Sequence, residues 1–306
     1  MNKLIVILGP TASGKSDLVV KLAKKFGGEI ISADSRQVYK GLNIGSGKIT
    51  KKEMQGVPHY LLDVANPKRR FTVAQYQKLA FKKIKEIQRR GNIPFLVGGT
   101  GFYIQSIVDR IVIPEVKPNW KLRKNLAQKT TDELFLMLKK LDSDRAKNID
   151  AKNPRRLIRA IEIALSLRDP TPPKLGRGRI PSRFNFLQIG IKKSPEELKK
   201  AIHKRLQKRL KQEMVEEVKS LHSKGLPWKR LEELGLEYRF VAQYIQNKIS
   251  YQQMQDKIQK ESEHFAKKQM TWFKRDKRIY WISASTSSSA GQKEAGYRVE
   301  SFLNKH

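Results

Sequence analysis

Residues Gly9–Ser16 read GPTASGKS and follow directly on the apolar run Leu4-Ile5-Val6-Ile7-Leu8. The eight residues satisfy the phosphate-loop pattern G-x-x-x-x-G-K-[ST], but their context carries more weight than the pattern. The apolar run predicts a buried strand, and Asp17–Phe26 sets Leu18, Val19, Leu22, Ala23 and Phe26 at helical spacing. A strand, a glycine-rich turn and a helix N-terminus converge backbone N–H groups on one point, where a phosphate or pyrophosphate belongs. Gly9 and Gly14 allow close backbone approach, and Pro10, Thr11, Ala12 and Ser13 complete the cradle. Lys15 brings positive charge to the terminal phosphate, and the Ser16 hydroxyl is placed to ligate magnesium.

Outward from the loop, Gly28–Ile31 (GEII) predicts a second strand running into SADSRQVY, Ser32–Tyr39. Polar residues just past a strand end face the ligand crevice of an open α/β sheet, which places Asp34, Ser35, Arg36 and Gln37 near the phosphate loop. Thr72 and Gln75 form a capping-box pair for an amphipathic helix running to about Arg90. Ile93–Val97 (IPFLV) predicts a third strand, closed by Gly98-Gly99-Thr100-Gly101 and another helix. That strand ends in GGTG where an ATP-hydrolysing site carries an acidic residue. The alternation predicts an α/β protein with a P-loop NTPase-like parallel sheet core flanked by helices, residues 1–113 and 186–306.

Between these two parts the pattern changes. Residues 114–185 hold helical segments at Trp120–Gln128, Asp132–Leu141 and Pro154–Leu167, then a Pro/Gly/Arg linker at Pro170–Arg183, and read as a helical insertion domain. Core character returns with a strand at Phe186–Ile191. Ser194-Pro195-Glu196-Glu197 then starts a helix carrying Leu198, Ile202, Leu206, Leu210, Met214 and Val218 on one face. A helix from about Tyr251, a strand at Ile279–Ile282, a Ser-rich loop at Ser283–Gly291 and a short terminal helix complete the chain.

Composition narrows the chemistry. The 306 residues contain no cysteine, which excludes disulfides, thiolate catalysis and cysteine-ligated zinc, and the five histidines lack metal-ligand spacing. Any metal must be a hard, oxygen-liganded one. The formal charge of +35 is spread through the chain rather than gathered in a tail, which points to a surface for a large polyanion, most simply nucleic acid. No apolar run is long enough for a membrane span and no signal-peptide pattern opens the chain, so a cytoplasmic, monomeric protein is expected.

Six stretches, in order, carry a resemblance: GPTASGKS, ADSRQVYKGLNIGSGK, VPHYLLDV, LVGGTGFY, NPRRLIRAIEI and FAKKQMTWFKR. Together they resemble the tRNA dimethylallyltransferase (tRNA isopentenyltransferase) family of bacterial type. The resemblance implies transfer of a dimethylallyl group from dimethylallyl pyrophosphate to the exocyclic N6 amine of the adenine 3′ of the anticodon, with Mg2+ as cofactor. It implies that Asp34 holds the amine as base, that Thr11 lies by the bridging oxygen of the donor, and that Lys15 serves catalysis. It gives Arg205 and Arg209 a reach to pyrophosphate. Ser35, Arg36, Gln37 and Thr100 would contact a flipped nucleotide in the anticodon stem-loop, and Arg123 with the run Arg155, Arg156, Leu157, Ile158 and Arg159 would grip its backbone. The chain departs from the family text at Leu42–Lys48 and at Leu234–Arg239. From the residues alone, a P-loop kinase of a small molecule or nucleotide and an RNA-binding protein with a relic nucleotide site remain alternatives.

Overall fold

The computed structural model describes residues 3–114, 116–167, 185–283 and 289–305. Six parallel strands form one sheet: β1 (Lys3–Leu8), β2 (Gly28–Ser32), β3 (His59–Tyr60), β4 (Ile93–Gly98), β5 (Asn185–Lys192) and β6 (Ile279–Ser283), in the order β3-β2-β4-β1-β5-β6. In sequence order the helices are α1 (Lys15–Lys25), α2 (Lys51–Met54), α3 (Val73–Arg89), α4 (Gly101–Val108), α5 (Trp120–Leu126), α6 (Thr131–Leu141) and α7 (Ser143–Lys147). They continue as α8 (Pro154–Leu167), α9 (Pro195–Lys211), α10 (Met214–Ser223), α11 (Trp228–Glu233), α12 (Leu236–Ile245), α13 (Tyr251–Phe273) and α14 (Ser289–Asn304).

The period of two along β1 divides its side chains between two cores, so the strand is buried on both faces. Leu4, Val6 and Leu8 pack with Tyr76, Ile84, Leu96 and Ile107 on one face, while Ile5 and Ile7 pack with Val19, Leu22, Phe95 and Ile189 on the other. Registers Leu8↔Gly98 and Ser32↔Val97 bring the carboxyl ends of β1, β2 and β4 level. The loops leaving these three ends therefore meet at one edge of the sheet, where ligands of open α/β folds bind.

Several local readings hold. Thr72 caps α3 with Gln75 in a reciprocal capping box, and Ser194 caps α9 with Glu197, with Pro195 in the first turn. Others do not. The short strand β3 went unread because two residues cannot display an alternation. The apolar face from Leu198 to Val218 is two helices, broken at Glu213, which takes φ 66 between α9 and α10. No glycine or proline announces that turn; burial of both Leu206 and Met214 in the same core supports it. The terminal helix is 16 residues long and starts inside the stretch read as a Ser-rich loop, whose positions 284–288, like the linker 170–183, lie outside the described residues.

The chain divides into two compact units, Met1–Arg110 with Pro181–His306, and Ile111–Ile180. In the smaller unit, Leu126, Leu134, Leu138, Leu157 and Ile161 form the core. Beside them Glu162, 1% exposed, accepts from Arg123 Nε (2.9 Å) and Nη2 (2.6 Å), from the Asn119 backbone N–H (2.6 Å) and from Arg159. Arg159 also donates to the Val116 carbonyl at 3.0 Å. Burial alone would raise the Glu162 carboxyl, but these donors bring it below the ordinary carboxylate range. Its contribution to stability is therefore present above the ordinary pKa and lost as pH falls through the depressed one. Glu162→Ala leaves two partly buried guanidinium groups uncompensated and should destabilise this unit by about 3 kcal/mol. Hydrogen exchange of residues 119–162 at neutral pH, compared with the parent, checks this.

Candidate active site

Gly9 opens the phosphate loop at φ 150, and a Cβ there would stand 2.6 Å from the Ile191 carbonyl oxygen, so the loop passes too close to β5 for any side chain. Ala12 is left-handed at φ 59, and Gly14 at φ 89 leads into α1. Ser13 is buried and Ser16 exposed. Lys15 folds back over the loop, donating to the Pro10 carbonyl at 2.6 Å.

Arg205, from α9, donates to the Thr11 hydroxyl. Burial and the Arg205 guanidinium lower the Lys15 ammonium to about 7, with Asp34 opposing the shift. Arg205 is itself lowered to about 9 by burial and by Arg209, against the pull of Glu237 and Asp34. Burial and a neighbouring guanidinium thus disfavour the charged form of both side chains, which an anion beside them would restore.

Arg209 sits differently from the expectation. It is 6% exposed, donates to Glu237 Oε1 at 2.6 Å and to the Gly45 carbonyl at 3.0 Å, and fills the space a Cβ on Gly47 would need. In this structure Arg209 supports the 45–47 loop and acts electrostatically on Arg205.

Asp34 leads a tight turn after β2, its Oδ1 accepting from the backbone N–H groups of Arg36 (2.7 Å) and Gln37 (3.3 Å). The turn uses Oδ1 alone. Ser35 N–H donates to Thr100 Oγ1 at 3.0 Å, and Thr100 N–H to the Ala33 carbonyl at 3.2 Å, so the Asp34 turn and the GGTG loop form one piece. Gln37 Nε2 reaches the Gly47 carbonyl at 3.0 Å. A Cβ at Gly98 would lie 2.1 Å from the Ala33 carbonyl oxygen, so an acidic side chain has no room at that strand end.

The structure thus gathers Thr11, Lys15, Arg205, Asp34, Ser35, Gln37 and Thr100 around the ends of β1, β2 and β4. Arg155 and Arg156 are exposed at the start of α8, and Ile158 is half-buried. Leu157 is fully buried in the core, so its side chain packs there instead of reaching RNA. Arg123 and Arg159 are committed to Glu162. Sequence reasoning missed Gln269, whose side chain joins two of the loops, although it lies inside the quoted FAKKQMTWFKR. It also missed Glu217, which accepts from the N–H groups of Asn43, Ile44 and Gly45. A lone Glu on a helix gives no signal for such a role. Among the described residues no group of three or more His, Asp or Glu is arranged to hold a metal, and no helix is long and apolar enough to cross a membrane.

Comparison with known proteins converges. The model of the IPP transferase family matches residues 37–276. The tRNA dimethylallyltransferase of Acetivibrio thermocellus is 37% identical over 288 residues, covering 92% of either chain, and tRNA dimethylallyltransferase 2 of Treponema denticola is 42% identical over 284 residues, covering 91% of this chain and 95% of its own. Among solved structures, the tRNA isopentenylpyrophosphate transferase of Bacillus halodurans superposes with a TM-score of 0.75 at 31% identity, over 99% of this chain and 97% of that one. A eukaryotic dimethylallyltransferase acting on tRNA gives 0.76 at 25% identity, over 93% of this chain and 74% of that one. On the family match, on identities sustained over nine-tenths of the chain and on the shared fold, the chain belongs to the IPP transferase family.

Proposed function

We propose that the protein transfers a dimethylallyl group from dimethylallyl pyrophosphate to the N6 amine of the adenine 3′ of the anticodon in tRNA, releasing pyrophosphate. The observation that carries this reading is the cation cluster of Lys15 and Arg205 at the phosphate loop, facing an Asp34 carboxylate across the same sheet edge. The bond between the allylic carbon and oxygen breaks with its electron pair going to pyrophosphate, and the loop N–H groups, Lys15 and Arg205 stabilise the charge as it develops. The amine nitrogen bonds to the carbon and passes a proton to Asp34. Thr11, held by Arg205, contacts the bridging oxygen.

Ser16 is exposed at the start of α1, and among the described residues no carboxylate cluster stands beside it. Mg2+, when bound, would supply further charge neutralisation there, with Ser16 as its protein ligand. Gly98, with no space for a side chain, speaks against the kinase reading, since such sites use an acidic residue at this strand end to hold the metal of ATP. The target adenine must leave its stack to meet Asp34. Arg155 and Arg156 hold anticodon-loop phosphates, while Arg123 and Arg159 shape the unit that presents them.

Three outcomes test the reading with labelled donor and an anticodon stem-loop. Asp34→Asn keeps an oxygen acceptor for the Arg36 and Gln37 N–H groups and removes the base, and should lower kcat by about 100-fold or more at unchanged donor affinity. With Lys15 lowered to about 7, donor binding above that pH should be coupled to uptake of a proton by its amine. Donor Kd should therefore rise with pH through about 7, approaching about tenfold per unit well above it and levelling off well below it, with proton uptake visible by calorimetry in buffers of different ionisation enthalpy. Replacing Arg155 and Arg156 by Ala should reduce the slope of log affinity against log salt by about 1.5, as two lost phosphate contacts require. An unchanged slope would return both to a solvated helix face.

A further inference from the structure

Gln269 projects from α13 and is 7% exposed. Its Oε1 accepts the Thr11 backbone N–H at 2.8 Å, and its Nε2 donates to the Gly99 carbonyl at 2.8 Å. The two partners fix the amide orientation, because an N–H can only donate and a carbonyl can only accept. One side chain therefore ties the phosphate loop to the GGTG loop. From Gly99 the connection continues through Thr100, which accepts from Ser35 and donates to the Ala33 carbonyl, and so reaches the turn led by Asp34. On the other side it reaches Thr11, whose hydroxyl meets Arg205.

Thr11 N–H is withdrawn from the cradle by this contact. In a phosphate loop the backbone N–H groups face the ligand. Here one of them is held by the protein, so Thr11 serves through its hydroxyl and its backbone is anchored from behind. The anchor also holds the GGTG loop, which is hydrogen-bonded through Thr100 to the turn that carries the base, so one amide ties the phosphate loop to that assembly.

We propose that Gln269 is a positioning residue that sets the spacing between the bridging oxygen of the donor, at Thr11, and the acceptor amine, at Asp34. The assignment rests on the prenyl-transfer reading and adds to it a residue that touches neither substrate. Displacements of about 1 Å between reacting groups cost on the order of 100-fold in rate, whereas ground-state binding is less sensitive.

Three variants test it under steady-state and single-turnover conditions with dimethylallyl pyrophosphate and an anticodon stem-loop. Gln269→Ala removes both bonds. Gly99→Ala perturbs the same contact independently, since its Cβ would stand 2.4 Å from Gln269 Nε2. Both should lower kcat by about 100-fold, with KM for either substrate within about threefold of the parent. Gln269→Glu offers the acceptor at every pH but the donor only when protonated. The Gly99 carbonyl disfavours a carboxylate there, against the pull of the Thr11 N–H and of Arg205 at the Thr11 hydroxyl, and only protonation restores the donor. The ratio of its kcat to that of the parent should therefore climb as pH falls from 8 to 6.

A residue that merely packs would give no pH-dependent ratio. If the parent transfers the prenyl group while Gln269→Ala and Gly99→Ala stay within twofold of it, or raise KM at constant kcat, this inference is overturned and the functional reading stands. A parent that binds the donor but labels no RNA removes the functional reading, and this inference with it.

Discussion

The carbonyl oxygen of Ala33 lies so near the Cα of Gly98 that a methyl group between them would be 2.1 Å from it. Next to this contact, Ala33 N–H donates to the Val97 carbonyl at 2.6 Å and its carbonyl receives Thr100 N–H. Much of the site follows from that approach. Adjacent strands lie about 4.8 Å apart, and loops leaving their ends would diverge if side chains stood between them. With glycine at 98, and with Gly9 also tight against Ile191, the loops after β1, β2 and β4 stay within hydrogen-bond reach of one another. The frame of the site is backbone, and the reacting side chains hang on it.

Two opposite treatments of positive charge coexist in the chain. In the smaller unit Arg123 and Arg159 share a buried Glu162, and their charge is spent on holding helices together. At the phosphate loop Lys15 and Arg205 crowd one another without a dedicated carboxylate. Arg209 is the intermediate case: its own charge is matched by Glu237, yet its field still acts on Arg205. A net charge of +35 thus resolves into cations that are structural and cations that wait for a ligand, a distinction that composition does not carry.

The parts legible in sequence were those coded locally. GPTASGKS, the Thr72–Gln75 and Ser194–Glu197 caps and the apolar strands each declare themselves within a few residues, and the structure reproduces them. What stayed hidden was decided by contacts over long separations. Gln269 reaches Thr11 from 258 positions away, and Glu217 reaches Asn43 from 174. The turn at Glu213 was illegible for the same reason: a left-handed glutamate has no local motive, and only the packing on either side of it supplies one. Leu157 and Arg209 show the reverse pattern. Motif context suggested ligand contact, and burial claimed them for the fold.

The lowered pKa of Lys15 has a chemical side as well as an electrostatic one. An ammonium is inert towards electrophiles, whereas a free amine is a nucleophile. With its pKa near 7, Lys15 spends much of its time in the second form whenever the loop is empty, while an ordinary lysine at 10.5 almost never does. Burial and Arg205 thus bring the amine form of Lys15 closer than in an ordinary lysine, and an anion in the loop would favour its ammonium form. Its chemical character is decided by whatever fills the loop.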